Sequence, residues 1–445
     1  MKSIRAGKNV SLFAVLFASI AVPSMHAQDW FHLETSGGAT RIRIAVANFK
    51  PQAGDPAAYK HTFDTTLFAD LTAAGLFDIV SKDMIPQSTP GTQAEISLAQ
   101  WSAAPASAAM VAFGNVGVAN DRLVVNGFLD DAKNAQYPQV FAKQYNEAAS
   151  DDSARQIAHR FADEIIARLG GGVSGIAETK IYYSKRTGTG KEIWEMDYDG
   201  ANQHEITHLG AISISPRVSP DNSRVAFSSL GKDGFQIKMY SLLLGRLVNF
   251  TSAGGTNVSP AWAPSGQQLA FSSSRTGDPE IWISDPEGRV AHKITSFIGP
   301  DVSPTWNPKT GGQIAWISGR THLPQLYIMD ADGSGVQRLT DGGYATSPSW
   351  SPNGQFLTFA WDRKYGPGAP GGQDIYVMEI ASKKWIQLTH DIGPCDFPSW
   401  SPDGRHIVFA NGNGAHTRIM SMLADGTQKQ ALTGAGSDMP NWSWK

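Results

Sequence analysis

Phe397-Pro398-Ser399-Trp400-Ser401-Pro402-Asp403-Gly404-Arg405-His406-Ile407-Val408-Phe409-Ala410 decides how this chain folds, because it joins a short apolar stretch, a tight-turn tetrapeptide and an alternating apolar strand. The same order recurs at Ser259-Pro260-Ala261-Trp262-Ala263-Pro264-Ser265-Gly266, at Ser303-Pro304-Thr305-Trp306-Asn307-Pro308 and at Ser347-Pro348-Ser349-Trp350-Ser351-Pro352-Asn353-Gly354. A copy without the tryptophan, Ser215-Pro216-Arg217-Val218-Ser219-Pro220-Asp221-Asn222, precedes them. Met439-Pro440-Asn441-Trp442-Ser443-Trp444 writes only the first half. A period of about 44 residues marks a blade-by-blade architecture, in which one repeat cannot bury its own core and neighbours must stack.

Each period reads as four strands. The tryptophan-bearing stretch is the first, and the turn follows because Pro presets φ while Gly accepts φ > 0. Gln268-Leu269-Ala270-Phe271-Ser272 is a second strand by its period of two, and Glu280-Ile281-Trp282-Ile283-Ser284 a third. The fourth closes on threonine at 207, 251, 295, 340, 389 and 433, which predicts six blades. The first period, starting at Lys180, lacks a first strand, whereas the Trp442 segment is a first strand with nothing after it. Pairing the two completes one blade and removes an open sheet edge, so residues 180–445 are expected to form a six-bladed propeller closed by its own ends.

Lys2, Arg5 and Lys8 precede an apolar run from Val10 to Val22 and then small residues ending in Ala27. Residues 1–27 therefore read as a secretory signal peptide, the alternative being a membrane anchor, for which the run is short. Residues 28–40 have no period and read as a flexible tail, although Gln28, Asp29, Trp30, Phe31, His32 and Leu33 offer an aromatic pair of the kind used in short linear binding motifs. From 41 to 169 strands alternate with helices. Arg41–Ala47 reads as a strand, Phe63, Leu67, Phe68 and Leu71 recur at helical spacing before a capping Gly75, and Ile157, Phe161, Ile165 and Leu169 give a second helix with Ser153 and Gln156 as capping box. This is a small α/β domain, with 170–179 as the linker to the propeller.

A net charge of −3 without basic clusters argues against nucleic acid, whose phosphates demand a Lys/Arg-rich face. The single cysteine, Cys395, has no partner within the chain. His204-Glu205-Ile206-Thr207-His208 matches a zinc-protease motif in letters, but that chemistry requires a helix, on which i and i+4 share a face. Here the five residues fill a strand slot, where four residues span about 13 Å, so no metal site is expected. There is no Gly-x-Ser-x-Gly elbow, and Gly188-Thr189-Gly190-Lys191 lacks the first glycine of a phosphate loop. Trp262, Trp306, Trp350, Trp400 and Trp442 recur with the strands and read as inter-blade core, the sharper alternative being a sugar-stacking row.

Loops joining the fourth strand of one blade to the first of the next share a face with those joining strands two and three. The first set carries Asn257, Asp301, Thr346, Asp396 and Asp438, and the second carries Arg275, Arg320, His322, Arg363 and the glycine- and proline-rich insertion at 364–372. They are either ordinary hydrophilic turn residues or a polar docking face around the channel mouth, with a carboxylate ring able to hold calcium if several oxygens converge.

Signal peptide, small α/β domain and Ser-Pro-x-Trp-Ser-Pro-Asp-Gly propeller, in that order, resemble the TolB family of periplasmic components of the Tol-Pal cell-envelope system. Arg43-Ile44-Ala45-Val46-Ala47-Asn48-Phe49 and Gly175–Tyr183 are similar to the family's domain-opening strands. The resemblance implies a monomeric, non-enzymatic periplasmic scaffold without cofactor, supporting outer-membrane integrity and constriction at division. Its propeller face would bind a Pal-like peptidoglycan-associated lipoprotein, and its tail, residues 28–33, would reach a TolA-like inner-membrane protein. Val218 in place of Trp and the insertion after Arg363 depart from the family pattern. A propeller enzyme or a glycan-binding propeller, each with a site at the channel mouth, remain the alternatives.

Overall fold

The computed structural model describes residues 41–252, 254–364 and 372–444. The expected signal peptide, the tail with Gln28 to Leu33 and most of the 364–372 insertion lie outside the described residues.

The amino-terminal domain is a sheet in the order β3-β1-β4-β5-β6, built from β1 (Ile42–Val46), β3 (Phe77–Ile79), β4 (Met110–Ala119), β5 (Arg122–Asp131) and β6 (Gln139–Ala148), with β2 (Lys50–Pro51) also pairing β4. Helices α1 (Ala57–Ala73) and α3 (Asp151–Leu169) cover one face, packing Phe63, Leu67, Leu71, Ile157, Phe161 and Ile165 against Ile44, Val46 and Val125. The short α2 (Leu98–Ser102) plugs the other face with the fully buried Trp101. The structure adds β2 and α2, which the sequence reading did not contain, and differs from it in two further details. The cap of α3 is Ser150, whose Oγ accepts the Ser153 N–H at 3.0 Å, with Asp151 and Asp152 adding negative charge to the first turn. β6 was not expected, because it is an edge strand wet along most of its length and its apolar residues do not alternate strongly.

The propeller consists of six four-stranded sheets. Five are continuous in sequence, and we number them blades 1 to 5 from their first strands, which begin at Ser213, Asn257, Asp301, Tyr344 and Cys395. The closing blade joins Ser437–Trp442 antiparallel to β7 (Lys180–Thr187), which continues into β8 (Gly190–Asp197) and β9 (His204–Glu205). Trp442 lies opposite Ile181, and the Ser443 N–H donates to the Lys180 carbonyl at 2.8 Å, so the expected closure forms. The fourth strands are only two or three residues long, which keeps the outer edges short.

Every first strand is bulged at the repeat's proline. Register shifts between Ile214 and Arg217, Val258 and Ala261, Val302 and Thr305, and likewise in the remaining blades. The residue before each proline takes positive φ, +54° at Ser215 and +52° at Phe397, for example. The extra residue re-aims the side chains that follow it. Each tryptophan thereby turns into the inter-blade core, where all five are buried. Where Val218 replaces tryptophan, Trp444 packs into the same cluster and donates its Nε1–H to the Val218 carbonyl at 3.2 Å.

The domains meet on the face of the propeller carrying the turns after first and third strands. Asp70 on α1 accepts the Tyr198 hydroxyl at 2.6 Å and pairs with His159 at 2.8 Å. Arg155 on α3 pairs with Asp197 and Asp199. At the carboxyl end of α1, His406 meets the Ala73 carbonyl at 2.8 Å, and Arg405 reaches the Gly75 carbonyl at 3.1 Å. The 170–179 segment is pinned as well: the Asp163 carboxylate accepts the Ala177 N–H at 3.0 Å, and Ile176 and Ala177 are buried.

Candidate functional site

The opposite face, formed by loops between blades and loops after second strands, is positioned by a module repeated in four blades. In these four an acid or amide stands at or near the start of the third strand, and the threonine beyond the fourth strand folds back onto it. In blade 2, Thr295 Oγ1 accepts the Ile281 N–H at 2.8 Å and donates to Glu280 Oε2 at 2.6 Å. The other Glu280 oxygen takes the Phe297 N–H at 3.1 Å and so fixes the loop leading to blade 3. The closing blade repeats this with Thr207 and Glu192, whose second oxygen holds the N–H groups of Leu209 and Gly210. Gln325 with Thr340 and Asp374 with Thr389 complete the set. Thr433 keeps only the backbone bond, from Ile419 N–H at 2.9 Å.

The loop residues expected to form one ring occupy two registers. Asn257 and Asp301 stand three residues before the repeat's proline and are fully buried within their blades. Asn257 Oδ1 accepts from Arg275 at 3.1 Å, and Asp301 pairs with Arg320 at 3.0 Å. Each arginine also donates to the serine ending the second strand, Ser273 or Ser318, and spreads over aromatic rings. Arg275 lies 4.4 Å from the Trp282 centroid, and Arg320 lies 4.8 Å from that of Tyr327.

Thr346, Asp396 and Asp438 stand two residues before the proline and are half-buried. Thr346 donates to Asp396 at 3.1 Å across the boundary between blades 4 and 5, and Gln373 reaches both. Burial raises the Asp396 carboxyl above its ordinary range, against the opposing hydrogen bonds from Ser347, Phe397, Thr346 and Gln373. Asp438 is paired with Lys191. The carboxylates are thus taken up separately, and among the described residues no three His, Cys, Asp or Glu side chains converge as a metal would require. The expected carboxylate ring does not form among the described residues, because Asn257 and Asp301 stand one residue further from the proline than Thr346, Asp396 and Asp438 and are buried where those are half-buried.

His322 is exposed on this face in a left-handed conformation, with φ +74°. Arg363 is exposed and stacks on Trp385, 4.2 Å from its centroid. Sequence reasoning missed Phe297 and Ile298, which are 53% and 86% exposed in the loop between blades 2 and 3. Arg320 lies 4.7 Å from the Phe297 ring, so an apolar tip stands beside a held guanidinium. The available signal was an apolar pair within an otherwise polar loop. The burial of the repeat tryptophans removes the sugar-stacking row, and His204 and Glu205 lie on β9, as expected of a strand.

A family model described as the TolB beta propeller domain matches residues 168–445, and one described as the TolB amino-terminal domain matches residues 35–137. A TolB homolog of Chlorobium chlorochromatii is 29% identical over 274 residues, covering 61% of this chain and 60% of that protein. The Tol-Pal system protein TolB of Roseobacter denitrificans is 30% identical over 199 residues, 44% of each chain. The chain thus spans about 60% or less of the length of these two curated relatives. The crystal structure of TolB from Acinetobacter baumannii superimposes with a TM-score of 0.76 at 24% identity, covering 91% of this chain and 97% of that one, a likeness of fold. The propeller match alone takes in more than half of the sequence, and the chain belongs to the TolB family.

Proposed function

We propose that this protein is a non-enzymatic periplasmic scaffold of the Tol-Pal system, which docks a Pal-like peptidoglycan-associated lipoprotein on the loop face opposite its amino-terminal domain. The observation that carries the reading is the exposed Phe297-Ile298 tip, held by Glu280 and flanked by Arg320. Apolar and aromatic anchors beside arginine, fixed before the partner arrives, are what binding hot spots are made of. His322, Thr346, Asp396 and Asp438 would supply the polar surround, while Asn257 and Asp301 would act from beneath by holding Arg275 and Arg320. Residues 28–33 would engage a TolA-like inner-membrane protein, and the two contacts together would support envelope integrity and constriction.

The test is a titration of the mature protein with the peptidoglycan-associated lipoprotein of the same organism. Variants would be Phe297→Ala, Ile298→Asp and Asp396→Ala, together with a form lacking residues 28–40. Saturable binding weakened about tenfold or more by Phe297→Ala is expected, the loss typical of a hot-spot aromatic. Undiminished affinity in all three loop variants would reject the face, and no binding by folded protein would reject the partner.

A further inference from the structure

The residue between proline and tryptophan in each repeat, left as "x" when the motif is written, faces the propeller axis. Arg217, Ala261, Thr305, Ser349, Ser399 and Asn441 all line one cavity of about 310 Å³, at the end of the channel away from the loop face. Its remaining wall is proline rings, serine hydroxyls and tryptophan edges. Arg217 is the only ionisable side chain among the lining residues, and no carboxylate lies there to answer it. Its one hydrogen bond among the described residues runs from Nη1 to the carbonyl of the preceding Pro216, at 2.8 Å. A guanidinium carries five N–H donors. Burial pulls this one down to about 10, which leaves it charged at neutral pH.

A half-buried cation with no counter-charge among the residues around it is destabilising unless an anion or ordered water answers it. The neighbouring Thr305, Ser349 and Asn441 add hydroxyl and amide donors on the same ring. The charge balance also limits the guest. One guanidinium matches one negative charge, and the absence of a second basic residue from the lining disfavours phosphate, with its charge nearer −2. The volume corresponds to about ten waters, so a slender ligand of about ten heavy atoms fits.

We propose that this axial cavity is a binding site for small monocarboxylates, with Arg217 holding the carboxylate and the proline and tryptophan edges receiving an aliphatic body. The site lies at the opposite end of the propeller from the docking face and does not depend on it.

The mature protein would be titrated with hexanoate, following tryptophan fluorescence and heat; hexan-1-ol, hexylammonium and inorganic phosphate serve as comparison probes. Trp262, Trp306, Trp350, Trp400, Trp442 and Trp444 line the cavity and supply the optical signal. Saturable binding of hexanoate is expected, at least tenfold tighter than hexan-1-ol, with none for hexylammonium and at least tenfold weakening in Arg217→Met. Failure to saturate below about 10 mM would overturn the proposal. So would equal binding of hexan-1-ol, tighter binding of phosphate, or full retention in Arg217→Met. Should that variant not fold, the contrast between probes of one shape and different charge on the unaltered protein still decides.

Discussion

Thr295→Val removes a hydroxyl and changes almost nothing in shape. The Ile281 N–H, buried at the start of the third strand of blade 2, loses its acceptor at 2.8 Å, and Glu280 loses a donor at 2.6 Å. An orphaned buried N–H costs about 1–3 kcal/mol and the lost hydroxyl–carboxylate bond about 1 kcal/mol more, so the propeller should lose roughly 2–4 kcal/mol. Thr251→Val is the matched control. Thr251 fills the same place in the sequence repeat, but it is exposed and its hydroxyl makes no hydrogen bond among those described, so the change should stay within about 0.5 kcal/mol. Urea unfolding followed by tryptophan fluorescence would measure both. Because Glu280 also fixes the Phe297 N–H, Thr295→Val should weaken the proposed lipoprotein binding as well, and Thr251→Val should not. Equal losses at both positions, or less than about 1 kcal/mol at Thr295, would refute the reasoning that the threonine acts as a clamp instead of as a strand former.

The domain junction should respond to pH through His406 and Asp403, which lie 3.0 Å apart. Burial pushes the His406 imidazole down, but the Asp403 charge, its hydrogen bond and the Ala73 carbonyl outweigh that, against repulsion from Arg405, and leave its pKa raised. Its stabilisation is complete below the ordinary imidazole value of about 6.5 and lost as pH climbs through the raised one, so His406→Ala should flatten the alkaline side of a melting-temperature profile. Burial likewise pushes Asp403 up, but the His406 charge, hydrogen bonds from His406 and Ser401 and the Arg405 N–H leave it lowered, so its contribution vanishes only as pH falls through that lowered value. Asp301→Ala, which strands Arg320 without its carboxylate, should cost about 3 kcal/mol in urea unfolding and weaken the proposed lipoprotein binding. The Cys395 thiol, buried and pushed up to about 11 chiefly by desolvation, should stay unreactive to a disulfide reagent in native protein and react at once in urea.

The sequence by itself determined the repeat, the blade count and the closure. Ser-Pro-x-Trp and the turn after it are local instructions, and a first strand without successors beside a blade without a first strand admits one economical pairing. It also determined that the tryptophans are core, since their spacing follows the strands. It could not show β6, because an edge strand wet along most of its length carries little alternation.

Tertiary structure alone decided how the candidate site is built. Asn257 and Asp301 stand one residue further from the proline than Thr346, Asp396 and Asp438, and the fold buries the first pair under Arg275 and Arg320 while leaving the other three half-buried, so the five never form one ring. It decided that Thr251 is not a clamp although five other threonines bond a third-strand N–H: Thr251 is exposed and gives its own N–H to the Glu287 carbonyl of the next blade. The same holds for Arg217, read in sequence as one variable letter of a weak repeat. Only when six strands close around an axis does that letter become a lone positive charge in a cavity, because side chains some 44 residues apart converge there only by rotation about that axis.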